Sequence, residues 1–477
     1  MQKSQSDRHE DSYDTLIRSI DARLHIGVSF DLVMRELTLG RRRARLYFVD
    51  GLVKDDALLK ILTPLLAVKP ADLDSLPNAQ SFAKHLIPYI EVSCENDLDT
   101  VVTQVLSGPS ALVVEGFQDV ILIDARTYPV RSLQEPDSDR VLRGARDSFV
   151  ETLVFNTALI RRRIRDTRLV MRYYAIGNTS KTDVVLCYLD GRADHEALAK
   201  LTTKLEKIKV KSLSLTQESL AEVLIDRGWY NPFPKVRYTE RPDAAAATVC
   251  EGGLVLIVDG TPSVMLLPTA FFDFFQETND YYFPPLTGSY LRIVRYLIYF
   301  LTLLLIPTWY LLVRNPTWVP PWLHFILVEK MNEIPIFVQL MVVELVIDCL
   351  KQASLNTPSA LGGSFSVVAA MILGEFAVTA RWFVPEVLLY MAFVAVANFA
   401  TPSFELGYAL KLSRMMLLVL VALFNLWGYL SGLAILMVLI ATTPTPTGQS
   451  YLAPLIPFNG EKLLRLLVRR RMNDGNS

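Results

Sequence analysis

Carboxylates inside apolar segments are the residues of this chain best suited to chemistry. Glu344 and Asp348 lie in the apolar run Ile334–Leu350, and Glu375 lies in the run Gly363–Ala380. Residues four apart on a helix share a face, so we expect Glu344 and Asp348 to lie one turn apart. An ionised carboxylate facing lipid costs about 2.5–3.5 kcal/mol on insertion scales, so such groups persist where they face a bundle interior, water or a partner.

Two interpretations of these acids remain open at this level. No Lys or Arg lies within the same segments to neutralise them. Repeated around an oligomer, the carboxylates would form acidic rings that pass cations and repel anions. Alternatively, they pair with Arg381, with Arg414 or with a partner subunit, or one carboxyl is protonated. Glu386 and Glu405 lie near segment ends, where an interfacial position is expected.

Patterns for catalysis or metal binding are not found elsewhere in the sequence. The five histidines are far apart, no H-E-x-x-H or G-x-S-x-G motif occurs, and the four cysteines form no C-x-x-C pair. No phosphate-binding glycine motif follows the D-G turns. We therefore expect no enzyme activity, no cofactor and no metal site.

The composition divides the chain into two parts. Residues 1–290 hold 35 Lys+Arg and 40 Asp+Glu, whereas residues 291–477 hold only 13 and 9. The first part is a charged globule whose mildly acidic balance argues against nucleic acid as the main partner. The first thirty residues lack the apolar core of a signal peptide, so this part is expected to stay cytoplasmic.

Membrane helices are predicted in the second part, because a span needs about 20 apolar residues. The apolar stretches are Ile293–Val313, Ile334–Leu350, Gly363–Ala380, Val384–Ala400 and Met415–Thr442. Basic residues flank the first stretch and fill the tail, which places both ends in the cytoplasm and requires an even number of crossings.

We expect the short stretch Ile334–Leu350 to be the one that does not cross, as a re-entrant or interior helix. This topology leaves Lys411 and Arg414 outside, which counts against it. A five-span topology with the basic tail outside remains the alternative. The last stretch, Met415–Thr442, is long enough to cross at a steep tilt.

Strands and helices alternate in the first part. Strands are predicted at 44–51, 110–116, 120–124, 184–191, 253–260 and 263–268, with helices at Asp55–Val68 and His195–Ile208. The runs VDGLVKDDALLK (49–60) and LDGRADHEALAK (189–200) align without gaps. In each run, glycine lets the chain leave a strand and acidic residues favour the first turn of a helix. We therefore predict two related lobes.

A helical stretch with an arginine-rich end, 140–166, connects these lobes. Its cations suit the carboxyl end of a helix dipole, and they would contact anionic lipid or an acidic subunit, or form a solvated face with intramolecular salt bridges. The predicted domain boundaries are 1–27 (flexible N-terminus), 28–135 (first soluble α/β subdomain), 136–166 (connecting helical segment), 167–290 (second soluble α/β subdomain), 291–458 (membrane domain) and 459–477 (basic cytoplasmic tail). The predicted fold is thus a two-lobed cytoplasmic α/β (or α+β) region followed by an all-α multi-span membrane domain.

Several longer runs resemble one known family. They are RGARDSFVETLVFNTALIRRRIRD (143–166), PFPKVRYTERPDAAAA (232–247), VDGTPSVMLLP (258–268), FATPSFELGYAL (399–410) and YLAPLIPF (451–458). In this order they resemble the A-subunit family of spore germination receptors (the GerA family), from about residue 28 to the end, and within it the branch of stage V sporulation protein AF. The signature positions are Glu135, Pro136, Arg143, Gly144, Arg146, Glu151, Asn156, Arg161, Arg162, Arg163, Glu240, Arg241 and Pro242.

This resemblance implies a protein of the spore inner membrane, with its N-terminal region facing the spore core. It also implies a homo-oligomeric ring, such as a pentamer, that releases monovalent cations and works with other germination membrane proteins. The acidic position of the family falls at Glu344, and Gly374-Glu375 replaces the Gly-Gln of the receptors. The first hypothesis is a cation channel subunit, the second a non-conducting scaffold for germination proteins, and the third a membrane-anchored enzyme.

Overall fold

The computed structural model describes residues 5–128, 141, 144–225, 230–328, 332–356, 377–399 and 402–469. The chain divides into two compact units. The α/β unit comprises Met1–Asp226, Val236–Thr269 and Thr445–Gln449. The helical unit comprises Arg227–Lys235, Ala270–Pro444 and Ser450–Ser477.

The first lobe of the α/β unit is an antiparallel sheet with helices on both faces. Its elements are α1 (Gln5–Leu24), β1 (Leu32–Leu39), β2 (Arg42–Val49), α2 (Asp55–Leu66), α3 (Pro70–Asp74), α4 (Ala79–Leu86), β3 (Val92–Glu95), α5 (Leu98–Ser107), β4 (Ser110–Val114) and β5 (Val120–Ile123). The strand order is β1-β2-β4-β5-β3. Helices α2 and α4 bury one face of the sheet, and α1 and α5 bury the other.

The second lobe repeats this topology. Its elements are α6 (Leu153–Arg163), β6 (Leu169–Ile176), β7 (Thr182–Leu189), α7 (His195–Lys207), α8 (Gln217–Leu224), β8 (Arg237–Thr239), α9 (Pro242–Cys250), β9 (Leu254–Val258) and β10 (Val264–Leu267). The order β6-β7-β9-β10-β8 matches that of the first sheet strand for strand. The prediction of two related lobes in a mixed α/β region is confirmed.

The two aligned D-G turns have the same geometry. The backbone N–H of Asp50 donates to the carbonyl of Asp31, and that of Asp190 donates to the carbonyl of Arg168, both at 2.8 Å. Gly51 and Gly191 have φ of +78° and +76°, a left-handed conformation that glycine adopts without strain. The gapless alignment of the two runs therefore reflects a shared strand-to-helix connection.

The prediction of a flexible N-terminal segment at 1–27 is wrong. Helix α1 covers most of it and packs into the core of the first lobe. Apolar residues recur three or four positions apart along α1, which forms a helix face that must be buried. The buried residues of this face are Tyr13, Ile17, Ile20 and Leu24.

Among its described residues, the connecting segment is helical over Leu153–Arg163, and 144–152 adopts no helix. Helix α6 contributes Leu159 and Ile160 to the core of the second lobe. Its Ala158 belongs instead to the core of the first lobe. Both lobes therefore pack against α6.

A buried ion pair links α6 to the first lobe. The Nε and Nη2 atoms of Arg161 donate to the two carboxylate oxygens of Asp31, at 2.7 and 3.0 Å. Arg161 also donates to the carbonyls of Asp166 and Leu169 at the start of β6, and the Oγ of Ser29 donates to Asp31 at 2.5 Å. A buried charge is tolerated only when it is paired and its hydrogen bonds are satisfied, as they are here.

The helical unit contains α10 (Pro285–Arg314), α11 (Ile336–Asn356), α12 (Pro385–Phe399), α13 (Phe404–Ala441) and α14 (Gly460–Leu467). Helices α10 and α13 are long and apolar enough to cross a membrane, and Pro385–Asn398 is a shorter apolar helix. Most of the predicted stretch Gly363–Ala380 lies outside the described residues, so the number of crossings stays a prediction.

Helix α13 is not the continuous span that Met415–Thr442 suggests. The backbone of Asn425 (φ 54°, ψ −128°) leaves the helical region. The break frees two carbonyls, those of Val421 and Ala422, which accept hydrogen bonds from Arg314 at 2.5 and 2.7 Å. The side chains of Asn425 and Asn315 bond each other reciprocally. Polar groups from α10 thus compensate the break in α13.

The repeated turn gives a matched pair of variants. Gly191→Ala should lower the local unfolding free energy by about 1–2 kcal/mol, the cost of a left-handed alanine. Gly51→Ala should cost more, because a Cβ there would lie 2.9 Å from both Cγ1 and the carbonyl oxygen of Val154 on α6. At Gly191, a Cβ would meet nothing within 4 Å. Hydrogen exchange of β2 and β7 in the full chain measures both effects, and equal losses would contradict the close approach of α6.

The ion pair of α6 gives a second prediction. Arg161→Met leaves the carboxylate of Asp31 buried without its cation, so the segments joined there should lose about 3–5 kcal/mol of protection. Hydrogen exchange should accelerate in β1 and β6. The control Arg165→Met removes an exposed arginine of the same run and should change exchange little. Equal effects of the two variants would contradict the account of Arg161.

Candidate functional site

Glu344 of α11 lies at the centre of a charged cluster inside the helical unit. Its Oε1 accepts from Nη2 and Nε of Arg414 on α13, at 2.5 and 2.7 Å. Arg414 also donates Nη1 to the carbonyl of Thr302 on α10 at 2.8 Å. The side chains of Glu344 and Arg414 are each 1% exposed. One ion pair therefore ties together α10, α11 and α13.

Lys411 extends the cluster by one turn of α13. Its Nζ lies 3.4 Å from Oε2 of Glu344 and donates to the carbonyl of Glu344 at 3.1 Å. The same ammonium forms a salt bridge with Asp348, one turn further along α11. Two carboxylates thus face two cations in what we call the charge cluster (Glu344, Asp348, Lys411 and Arg414), and Lys351 lies within electrostatic range of all four.

Asp348 lies at the open side of the charge cluster. Its side chain is 37% exposed, against 1% for Glu344. Its Oδ1 is buried and has no hydrogen-bond partner among the residues that the structure describes. Asp348 therefore combines a paired oxygen with an oxygen that is free to accept a further bond.

The helix geometry follows from the sequence spacing. Glu344 and Asp348 share a face of α11, as predicted, and Lys411 and Arg414 are three apart on α13, so they also share a face. Apolar residues of both helices, among them Leu340 and Leu418, pack in the same core. In such surroundings an unpaired charge is costly, so each face supplies the counter-ion that the other requires.

Glu344 and Asp348 are both paired, although their cations lie outside the segments that contain the two acids. The pairing of Glu344 with Arg414 that the sequence left open is present, and Asp348 pairs with Lys411, which the sequence did not predict. Lys411 and Arg414 are also buried inside the helical unit. They therefore do not form the exposed basic flank outside the membrane that counted against the predicted topology. Whether Glu344 and Asp348 line an ion path stays a prediction.

The remaining membrane acids differ in their positions. Glu375 lies outside the described residues. Glu386 and Glu405 lie in the first turns of α12 and α13, where a carboxylate interacts favourably with the helix dipole.

Signature residues of the connecting segment shape the start of α6. The side chain of Asn156, fully buried, bonds both the N–H and the carbonyl of Val150, at 2.8 and 2.6 Å. The carbonyl of Glu151 accepts from the N–H of Gly260 at 2.8 Å, and Gly144 has φ of +110°. These contacts hold a non-helical chain against the second lobe, which is a structural role.

Each signature arginine of the connecting segment contacts a different group. Arg163 donates to both carboxylate oxygens of Asp147, at 2.7 and 2.6 Å, and Arg162 lies 4.0 Å from the ring centroid of Tyr128. Together with the buried Arg161, they show that most of this run makes intramolecular contacts. The exposed face expected from the sequence is reduced to Arg165 at the end of the run.

The second signature block lies at the start of α9. Arg241 is fully buried and donates to both oxygens of Asp243, at 3.0 and 2.6 Å, and to the carbonyl of Ala145. The carbonyl of Glu240 accepts from the N–H of Phe149, and Pro242 opens α9. Arg146 belongs to the loop that Arg241 holds. Glu135, Pro136 and Arg143 lie outside the described residues.

Sequence reasoning missed the partners of the buried charges. Asp31 lies 130 positions before Arg161, and Arg414 lies 70 positions after Glu344. No local spacing connects residues so far apart. A usable signal was the pair Lys411 and Arg414 at helical spacing beside a long apolar run, which matches the spacing of the two acids.

Within the described part of the chain, no group of His, Cys, Asp and Glu is arranged to hold a metal ion. Cys94, Cys187, Cys250 and Cys349 are free thiols. Burial raises the pKa of the Cys187 thiol to about 12, so this cysteine is protonated at neutral pH and unreactive.

Comparison with known proteins places these features in a family. The model of the family described as Bacillus/Clostridium GerA spore germination protein matches residues 20–477. The chain is 38% identical to stage V sporulation protein AF of Bacillus subtilis, over 94% of this chain and 90% of that protein. It is 27% identical to spore germination protein KA of Bacillus subtilis, over 94% of this chain and 83% of that protein.

A solved structure is also similar. It is the N-terminal domain of the A subunit of the Bacillus megaterium spore germinant receptor GerK3, at 25% identity and a TM-score of 0.41, over 54% of this chain and 94% of that one. The family match spans the motifs that carried the resemblance in the sequence, from the connecting segment to the last helix. The chain therefore belongs to the GerA family of spore germination proteins.

Proposed function

We propose that this protein is a subunit of an oligomeric cation channel that acts in spore germination. The observation that carries the proposal is the charge cluster, which places two carboxylates and two cations inside apolar helices. Ionisable residues within membrane helices are expensive and mark ion paths or gates more often than structural sites. Family membership supplies the germination context.

The two acids have different roles in this proposal. Glu344 is neutralised by Arg414 and Lys411, so it acts as a latch that holds α11 against α13 in a closed subunit. Asp348 is partly exposed and keeps one oxygen without a partner among the described residues. In a ring of subunits, such as a pentamer, the copies of Asp348 would replace water around a passing monovalent cation. Glu375 stays a further candidate on this path.

Partners and location follow from the relatives. Several relatives are spore germination proteins, among them protein KA and protein B1 of Bacillus subtilis. We therefore propose that this chain works with other germination membrane proteins in the inner membrane of the spore, with its α/β unit on the core side. The two candidate membrane helices support an integral membrane protein.

The buried ion pair between Glu344 and Arg414 also favours a second function. An ion pair that is 1% exposed on both sides holds helices together without any ion flow. The chain would then be a non-conducting scaffold that binds and organises germination proteins. A scaffold assembles in the membrane but passes no cation, so ion flux separates the two functions.

Flux through the purified full-length protein in liposomes tests the channel. Asp348→Asn removes the exposed carboxylate and should lower potassium flux or its selectivity over chloride on the order of tenfold, because the acidic ring is lost. Glu375→Gln should act in the same direction. The matched control Glu386→Gln removes a carboxylate from the first turn of α12 and should leave flux unchanged. Rings that pass no potassium in the wild type, or equal flux in all variants, would contradict the channel and favour the scaffold.

Stability of the charge cluster is a separate prediction. Glu344→Gln leaves the buried Arg414 without its carboxylate, and Arg414→Gln leaves Glu344 with Lys411 alone, so each should cost about 3–5 kcal/mol. The double variant should lose less than the sum of the two, because neither charge is then left alone. Unfolding in detergent, followed by tryptophan fluorescence, measures this cycle, since Trp309 lies in the core that contains both helices. Additive losses would contradict the direct pairing of Glu344 with Arg414.

A further inference from the structure

Two guanidinium groups from distant segments lie near the ring of Tyr281, just before α10. The guanidinium carbon of Arg292 lies 5.0 Å from the ring centroid of Tyr281, and that of Arg469 lies 5.8 Å from the same centroid. Arg292 belongs to the second turn of α10, whereas Arg469 follows α14 near the end of the described chain. The backbone N–H of Arg469 donates to Oγ of Ser289 at 3.0 Å, which fixes the tail segment beside α10.

Each of the two arginines keeps an unused donor. Arg292 is 3% exposed and donates Nε to Asp280 and Nη1 to the carbonyl of Arg465, at 3.1 and 3.0 Å. Arg469 donates Nη1 to the carbonyl of Asp280 at 3.3 Å. The Nη2 of Arg292 and the Nε of Arg469 are buried and have no hydrogen-bond partner in the described part of the chain. Buried N–H donors without an acceptor are costly, so an added acceptor would stabilise both atoms.

The charges around Tyr281 leave a positive excess. Asp280, which is fully buried, accepts from both Arg292 and Arg295, and Glu277 accepts from Arg295 at 2.6 Å. With Arg469, three guanidiniums therefore face two carboxylates. An additional anion would balance the group.

We propose that Arg292 and Arg469 bind a phosphate-class anion, either the headgroup phosphate of an anionic phospholipid or free phosphate. Guanidinium groups bond phosphate oxygens through paired, charge-assisted N–H donors, which suits two arginines that lie beside the same ring. Tyr281 is 54% exposed, so the site lies at the molecular surface.

The neighbouring helix favours a lipid as the source of the phosphate. Leu464 and Leu467 of α14 are exposed, at 47% and 39%, beside Lys462 of the same helix, whereas Arg465 is neutralised by Glu461. Exposed leucines combined with Lys and Arg are typical of a helix that lies in the membrane interface. A headgroup at Arg469 would place its acyl chains beside these leucines. In such a basic segment, every one to two cations raise the affinity for anionic lipid about tenfold.

Lipid retention by the full-length protein in detergent tests the site. Native mass spectrometry compares bound phosphatidylglycerol with bound phosphatidylcholine. Wild-type protein should retain the anionic lipid preferentially, and Arg469→Gln should reduce that retention about fivefold or more, because it removes one charge-assisted contact. Arg469→Lys, which keeps the charge but loses the guanidinium fork, should give an intermediate loss.

The matched control is Arg465→Gln. Arg465 is a nearby arginine whose guanidinium is exposed and paired with Glu461 at 2.7 Å, so its loss should change retention less than about twofold. A second arm titrates inorganic phosphate and follows hydrogen exchange of residues 285–295. Protection that saturates in the wild type but not in Arg469→Gln would identify free phosphate as the ligand. Equal retention in wild type and Arg469→Gln with no phosphate effect, or an equal loss in Arg465→Gln, would overturn the site.

Discussion

The ion pair between Glu344 and Arg414 is the interaction on which the helical unit depends. Each partner is 1% exposed, so neither charge has solvent to stabilise it and each requires the other. Because the pair also reaches the carbonyl of Thr302, three helices must keep their positions for the charges to be satisfied. Any separation of α11 from α13 therefore needs a replacement partner for both charges, which makes this pair a natural control point for a conformational change.

The α/β unit follows the same rule with different residues. Arg161 is fully buried, and its charge is satisfied by Asp31 of one lobe and by carbonyls of the other. Helix α6 is the counterpart of α1 in the repeat, since each precedes the first strand of its lobe. The signature residues that surround α6 thus join two copies of one topology.

Sequence patterns predicted the centre of each sheet and failed at its edges. The central strands β4 and β9 are almost entirely apolar, and turns bound them. The missed strands β1, β3, β6 and β8 are all edge strands. Charged residues interrupt β1 and β6, and β3 and β8 are short, so the pattern is hidden. In the helical unit, the acids could be located because charge in an apolar run stands out. Their partners could not, because pairing across α11 and α13 depends on tertiary packing, as does the break at Asn425.

The position of Asp348 in the assembled protein tests the central claim most directly. A cryo-electron microscopy map of the full-length oligomer in lipid nanodiscs measures it. The account predicts a closed ring in which Asp348 of every subunit faces a water-filled axis, while Glu344 stays paired with Arg414 behind it. A centre filled with lipid, with Asp348 turned away from the axis and enclosed by Lys411, would contradict conduction and leave a scaffold.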